Sequence, residues 1–543
     1  MKLKKTIVVL FAVTLTASMF ASNKSISKYP GVTVRTLVQG ASIHGANGIY
    51  FGPDGNLYIA AALTSEIYKM DPQNGKILQI FGPERGVLSP DDLTFGPDGW
   101  LYFTAITYGE VRKINPFDPN STAITIGTIF PGVNPITFHD DGRLFTALDF
   151  YGYAGLYQVD PSGATDPSLI LGGAEIYNLN AFDFGPDGCI YGPLFGAGLV
   201  RVCVDDTLPA VEPLNMQIAA GAVKFDSQGR LYTSDGGRVL RFNYGDWLNG
   251  TELANVPFMI DNLAVDSNNR VYLSGFAEGC IVKLLPGGNY VTLSPGGMVL
   301  PNGVAVLPQD GGDSIYVGDF WKLREFDGRT GKQLSEAFSL GFFMPGGLIP
   351  SGFIAPDSNN LIIASSMVGS VQEWDPINMQ VLNSIANMNM PTAAIRYEGD
   401  LIAGELMTGR LVRWNAGAST WDTVAQLYEP SGMATDGTNL WVADHTLGMV
   451  YRIDETPIPV ANRSLSGPTG LTYYPPDDSL LVIEADAGRL SKIEQDGSVI
   501  TLAEGLQLAY SPGFVNGVAV GQSGAIYVTG IVSDVLYRIE IHP

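Results

Sequence analysis

At 543 residues the chain is too long for one ordinary hydrophobic core, and two domains are the natural expectation. A formal net charge of −23 argues against a nucleic-acid partner, which needs a basic face, and suits hard cations. Three cysteines in the whole chain rule out a disulfide scaffold.

The chain opens on Lys2, Lys4 and Lys5, continues through an apolar run at 6–20 and reaches the small residues Ala21 and Ser22. This is the pattern of a signal peptide, expected over residues 1–22 with cleavage near Ala21. The run is short for a membrane span, and no other stretch reaches about eighteen apolar residues. The reading is an exported protein, secreted or periplasmic, with no transmembrane segment after cleavage.

Beyond the leader one phrase recurs. Asn47 begins Asn-Gly-Ile-Tyr-Phe-Gly-Pro-Asp-Gly-Asn-Leu-Tyr-Ile, Asp91 begins Asp-Asp-Leu-Thr-Phe-Gly-Pro-Asp-Gly-Trp-Leu-Tyr-Phe, and Asn180 begins Asn-Ala-Phe-Asp-Phe-Gly-Pro-Asp-Gly-Cys-Ile-Tyr. A short apolar run forms an inner strand, Gly-Pro-Asp-Gly turns the chain, and a second strand follows. Glu66-Ile-Tyr-Lys-Met70 reads as a third strand and Ile77-Leu-Gln-Ile80 as a fourth. Four strands at a period of about forty residues mark a β-propeller blade. Looser copies start at Asn134, Gly221, Asp261, Asn302, Ser351, Thr392, Ser431, Thr469 and Asn516. The fold class is therefore all-β, with twelve four-stranded blades in two tandem six-bladed propellers.

The last unit ends after three strands, so an earlier segment must supply its fourth. If residues 32–37 close the first ring and 290–293 the second, the propellers are 29–286 and 287–543, with a boundary near Gly287. Each seal would remove an open sheet edge. In a second arrangement residues 32–37 close the second ring around an inserted first one. Cys189 and Cys203 lie symmetrically about a turn near Gly196 and could face each other, leaving Cys280 as the third thiol.

In a propeller the first residue of each inner strand can point into a central funnel. The first half places Asn47, Asp91, Asn134, Asn180, Gly221 and Asp261 there. Amides and carboxylates are hard oxygen ligands, which favours Ca²⁺, with Mg²⁺ or Mn²⁺ as alternatives. The competing reading is that such residues cap turns and bond local backbone. The second half offers Asn302, Ser351, Thr392, Ser431, Thr469 and Asn516, with no carboxylate, so the capping reading is the stronger one there.

Pro301-Asn-Gly-Val-Ala-Val306, with its kin at Asn47 and Asn516, resembles the calcium-dependent gluconolactonase/regucalcin (senescence marker protein) family of six-bladed propellers. The resemblance implies a metal held at this inner-strand position by a Glu, two Asn and an Asp. The two Asn ligands match Asn134 and Asn180, while Asn47 stands at the Glu position and Gly221 at the Asp position. The family's Asp is also its general base, a role left here to Asp91 or Asp261. The phrase is also similar to that of virginiamycin B lyase, in which a histidine and a glutamate at strand ends work with Mg²⁺. His445, beside Asp444, and Glu484 with Asp486 fit that pattern, and His44 is a further histidine of the kind. A histidine near an acid can serve as a general base close to working pH.

Aromatic residues at Phe150-Tyr-Gly-Tyr153, Phe195, Phe276 and Phe320-Trp321 suit a ring-bearing small-molecule ligand at a funnel mouth, or packing between blades. No nucleophile elbow, zinc helix, phosphate loop or dinucleotide fingerprint is present. Three functions follow: a divalent-metal-dependent hydrolase of lactones or esters, a virginiamycin-type lyase, and a non-enzymatic binding propeller with a structural cation.

Overall fold

The computed structural model describes residues 27–148, 154–339, 341, 346–511 and 513–542. The expected signal peptide and the Phe150-Tyr-Gly-Tyr153 loop lie outside the described residues. Among the described residues no helix is long and apolar enough to cross a membrane. All regular structure of the described residues is antiparallel sheet apart from four short 3₁₀ turns, and the strands form the twelve blades of two six-bladed propellers.

The repeated phrase explains the blade hairpin. The glycine at the turn takes a left-handed conformation, as at Gly55 (φ 75°). The turn's aspartate accepts the backbone N–H two residues on, Asp54 from Asn56 at 3.2 Å and Asp98 from Trp100 at 3.1 Å. Its other oxygen receives the phenol of the tyrosine that the phrase places on the second strand, Tyr102 on Asp98 at 2.8 Å and Tyr191 on Asp187 at 3.1 Å. The aspartate and the tyrosine of the motif are thus one structural device.

The glycine that follows many axial residues has a different cause. A Cβ on Gly303 would lie 2.4 Å from the Gly352 carbonyl oxygen, and one on Gly432 would lie 2.0 Å from that of Thr469. Inner strands of neighbouring blades approach so closely at the axis that only glycine fits. The same approach lets blades bond each other. Gly48 N–H donates to the Asp91 carbonyl at 2.9 Å and Gly303 N–H to that of Gly352 at 3.0 Å.

The first compact unit is Ala41–Gly297. Its sixth blade is Asn262–Val265, Val271–Gly275, Cys280–Leu284 and Tyr290–Ser294, and it returns to the first blade through the Ser274 hydroxyl, which donates to the Asn47 carbonyl at 2.6 Å. Cys189 and Cys203 are disulfide-bonded across their hairpin, and Cys280 is buried. The second unit comprises Met298–Pro543 together with the N-terminal strand Val32–Gln39. That strand pairs antiparallel with Val535–Ile541 and completes the sixth blade. Gly517 N–H then donates to the Asn302 carbonyl at 3.1 Å, joining the sixth blade to the first.

These pairings correct the expected closures. The segment at 32–37 seals the second ring, and the segment at 290–293 seals the first by pairing with Cys280–Leu284. Boundaries at 29–286 and 287–543 would therefore cut a blade in each unit; the first unit is inserted in sequence between strand 32–39 and the rest of the second. Register is the reason. Val32 and Leu37 are buried on opposite faces of their strand, Val32 in the core that holds Tyr537 and Leu37 in the core that holds Leu536.

Candidate functional site

The axis of the first unit is lined by three successive layers of side chains. The outer layer holds the expected residues. Asn47 and Asn134 are buried, while Asp91, Asn180 and Asp261 keep part of their surface exposed. Asn47 Nδ2 donates to Asp91 Oδ1 at 2.6 Å, and Asn47 Oδ1 is buried with no hydrogen-bond partner. The Asn180 side-chain oxygen accepts the backbone N–H of Ala181 at 2.7 Å, a local bond of the capping kind. Gly221 contributes no ligand atom. Burial, reinforced by the neighbouring Asp92 carboxylate, raises Asp91 to about 7. Burial together with Asp91 and Asp92 raises Asp261 well above the ordinary aspartate value.

The next layers contain groups that inspection of the first position alone misses. Asp92, one residue along, reaches across the axis. Its Oδ1 accepts Asn262 Nδ2 at 3.2 Å and Leu93 N–H at 2.9 Å, and its Oδ2 accepts Ile136 N–H at 3.2 Å. Three residues along from the axial position stand Tyr50, Thr94, Thr137, Asp183, Lys224 and Ala264. Lys224 is buried, with its ammonium 5.7 Å from the centre of the Tyr50 ring. Burial alone would lower its pKa, but Asp183, Asp92 and Tyr50 outweigh that and hold it raised. Asp92 and Asp183 are themselves pushed up by burial, an effect Lys224 opposes. Asp183 also accepts Phe225 N–H at 2.9 Å. Reading the phrase in register, rather than at its first residue, exposes this layer: Asp183 and Lys224 are its only charged members.

Among the described residues the one group of three Asp, Glu, His or Cys ligand atoms lying within 4.8 Å of one another is Asp187, Cys189 and Cys203, whose sulfurs are already joined. The axial carboxylates are thus close enough to raise one another's pKa without forming a three-carboxylate cage.

The axis of the second unit is neutral and spent on structure. Thr392 and Ser431 donate to the Pro430 and Pro468 carbonyls of the next blade at 2.6 and 2.8 Å. Ser351 meets Ser365 at 3.4 Å. Asn302 Nδ2 donates to the Leu300 carbonyl at 2.9 Å, and Asn516 Nδ2 to that of Thr529 at 3.1 Å. Of the six axial side chains, only Asn302 and Thr469 carry a buried atom, Oδ1 and Oγ1, without a hydrogen-bond partner.

The second unit's chemistry lies at its mouth. His445 follows the strand Leu440–Asp444. Its Nδ1 is 3.3 Å from Glu429 Oε2, and its Nε2, which has no hydrogen-bond partner, is 3.5 Å from Asp486 Oδ1. Tyr510 stacks on the imidazole with ring centres 3.6 Å apart, and both Tyr510 and Thr446 donate hydroxyls to Glu429. Burial works against the Glu429 carboxylate, but His445, Thr446 and Tyr510 together bring it down to about 2. The imidazole is raised, because Glu429 and Asp486 outweigh its burial. The acids expected beside His445 are partly different ones. Asp444 is buried and accepts the N–H groups of Tyr428 and Glu429 at 2.8 and 3.1 Å. Glu484 is bound by Arg463, Arg489 and Ser491. Glu429, sixteen positions upstream of His445, is the partner that spacing could not reveal. Of the aromatic candidates, Phe320 meets Trp321 edge to face and stacks on Phe514, and Trp321 stacks on Phe338. Phe276 packs by Gly45, one residue after His44.

No protein-family model matches the chain, and no curated protein matches it. Solved structures do. A gluconolactonase from Xanthomonas campestris is 12% identical, covering 49% of this chain and 91% of its own, with a TM-score of 0.38. The calcium-binding protein regucalcin from Agrobacterium tumefaciens is 17% identical, covering 44% and 85%, with a TM-score of 0.35. An extracellular domain assigned to a one-component system of B. thetaiotaomicron is 11% identical, covering 93% and 82%, with a TM-score of 0.32.

Proposed function

We propose that the chain is an exported, divalent-cation-dependent hydrolase of lactones or esters whose reaction centre is the axis of the first unit. The observation that carries this reading is the pairing of two pKa-raised carboxyls, Asp91 and Asp261, with a buried amide oxygen, Asn47 Oδ1, that has no partner. Two like charges brought together out of water are costly, and a hard cation relieves that cost. Asn47, Asp91, Asn134 and Asp261 would hold it, with Asn180 contributing only if it gives up its bond to Ala181. The ion, Ca²⁺ before Mg²⁺ or Mn²⁺, would supply a fixed positive charge to polarise an ester carbonyl.

Asp91 is suited to the proton-transfer role. Its carboxyl is raised to about 7 without the ion, and with the ion bound it would stand as the carboxylate that takes a proton from water. The Asn47 amide N–H fixes one of its oxygens, so the other is the one presented to a water or substrate hydroxyl. Asp261 is the alternative base, on the opposite side of the blade-one strand. Metal content of the full-length protein, measured with a lactone and ester panel before and after chelation, tests the reading. Bound calcium and chelator-sensitive turnover are expected, with Asp91→Asn abolishing turnover. A metal-free protein with no activity would leave a binding propeller.

A second reading, a lyase, is favoured by one observation in the second unit. The imidazole of His445 is oriented by Glu429 at Nδ1 while Nε2 carries no hydrogen bond, which is the arrangement of a positioned acid or base.

A further inference from the structure

The outer strands of the second unit carry a cleft that takes no part in its axis. Blade two borders it with its outermost strand, Gln380–Ile385, and the residues that follow at 386–387. Blade three borders it with its outer hairpin, Arg410–Asn415 and Thr420–Gln426. The cleft has a volume of about 510 Å³, inside the range of about 300–1,000 Å³ usual for small-molecule sites. From blade three it is lined by Trp414 and Trp421, which stand opposite each other in the hairpin register with ring centres 5.2 Å apart. From blade two it is lined by Asn383 and Asn387.

The second tryptophan departs from the blade pattern. Blades two and three both place a tryptophan fifth in their third strand, Trp374 and Trp414. In blade two Trp374 pairs with Val381 and is only 4% exposed, packed in a core. In blade three Trp421 stands where Val381 does, and both Trp414 and Trp421 keep part of their surface exposed. Packing alone does not call for this choice. The Trp421 indole N–H is buried without an acceptor, a cost that valine avoids.

The charged residues of the lining are already matched to each other. Arg410 Nε and Nη2 donate to Glu405 Oε2 at 3.0 and 2.7 Å, and Asn389 donates to Glu405 Oε1 through its N–H and Nδ2 at 3.0 and 3.1 Å. An ionic ligand would find no free counter-charge in this lining. Asn383, Asn387 and Ser419 are exposed, and their side chains bond no other described residue. Amides and hydroxyls both donate and accept. Indole rings beside uncommitted amides and a hydroxyl match a ligand that has an apolar face and a rim of hydroxyl groups, which is the chemistry of a pyranose ring.

We propose that this cleft is a docking site for a neutral oligosaccharide. Trp414 and Trp421 pack on the C–H face of a sugar ring, and Asn383, Asn387 and Ser419 bond its hydroxyls. The site does not depend on the hydrolase reading.

Calorimetric titration of the full-length protein tests this, run in the presence of chelator so that the axial metal plays no part. The probes are the neutral hexamers of glucose, mannose and N-acetylglucosamine, with a galacturonate hexamer and a chitosan hexamer as charged controls. At least one neutral hexamer is expected to bind, and to slow hydrogen exchange at 380–390 and 410–426. Trp421→Val, which restores the residue of blade two, should weaken that binding about tenfold with the melting transition unchanged. Asn383→Ala, on an exposed strand, should weaken it about threefold. The proposal is overturned if no neutral hexamer binds, if a charged control binds as tightly, or if protection falls outside these segments. It is equally overturned if both variants bind like wild type. Should Trp421→Val lower the melting transition, Asn383→Ala combined with Asn387→Ala decides.

Discussion

The two units are built from one repeated phrase, yet they fill their axes in opposite ways. The first carries Asp91, Asp92, Asp183 and Asp261 with a single buried ammonium, Lys224, among them. The second carries no ion at its axial positions and spends its hydroxyls on bonds between blades. The difference shows that the inner-strand position is a place, not a function. Where the side chain is Thr or Ser it stitches neighbours together. Where it is Asp it accumulates charge that something else must balance. The units differ in their seals as well, since the first closes its last blade with the strand that follows it and the second with a strand drawn from the start of the chain.

The seal offers the largest expected effect. Removing residues 27–40 strips Val32 and Leu37 from the second unit's cores and opens a sheet edge along Val535–Ile541. Burial of two such side chains is worth about 3–6 kcal/mol, before the lost ladder is counted. The second unit should therefore lose most of its cooperative melting, whereas Ala41–Gly297 expressed alone should melt as a folded domain. Calorimetry on both fragments checks this. A second unit that melts normally without residues 32–39 would mean that the pairing with 535–541 contributes little.

The blades and their number were legible in the sequence because Gly-Pro-Asp-Gly and the following tyrosine form a local device that needs no tertiary knowledge. The closures were not, because residues 32–37 and 290–293 are equally good strands, and only their partners' exposed edges distinguish them. Asn47, Asp91 and Asp261 stand out at the axial position from the repeat alone. Lys224 and Asp183 were missed because their significance depends on meeting across an axis, although they are evident once all six phrases are read three residues further along. Glu429 gave no signal at all, since a connecting segment brings it to His445.

Lys224 supplies the next effect in size. Replacing it by Met leaves Asp92 and Asp183 buried without their cation, which typically costs about 3–5 kcal/mol. The expected result is a lowered melting transition confined to the first unit, with exchange rising there and not in the second. Adding Asp92→Asn and Asp183→Asn to Lys224→Met should recover much of the loss, because the uncompensated charges are then gone. Recovery is the sharper half of the test. A triple variant no better than Lys224→Met would show that the lysine matters for its packing against Tyr50 rather than for its charge.

The smallest effect is also the one that separates the two sites most cleanly, because their carboxyls respond to pH with opposite signs. In the first unit Asp91 is raised from 3.8 to about 7 and Asp261 is raised well above 3.8, so the folded state holds protons that the unfolded chain has released. That contribution is complete below pH 3.8 and is lost as pH rises through about 7. In the second unit Glu429 and Glu484 are brought from 4.5 to about 2 by their partners. Their contribution is complete above 4.5 and is lost as pH falls toward 2. Hydrogen exchange followed peptide by peptide should therefore show the axis of the first unit loosening between pH 5 and 8, and the surroundings of Glu429 and Glu484 between about pH 4.5 and 2.5. Calcium should cancel the alkaline loss in the first unit, because it takes the place of the missing protons on Asp91 and Asp261. At a hundredfold excess over its dissociation constant the gain would be about 2.7 kcal/mol, and it should shrink as pH falls and the carboxyls reprotonate. Calcium protection that is independent of pH, or that extends to the second unit, would place the ion away from the axial aspartates.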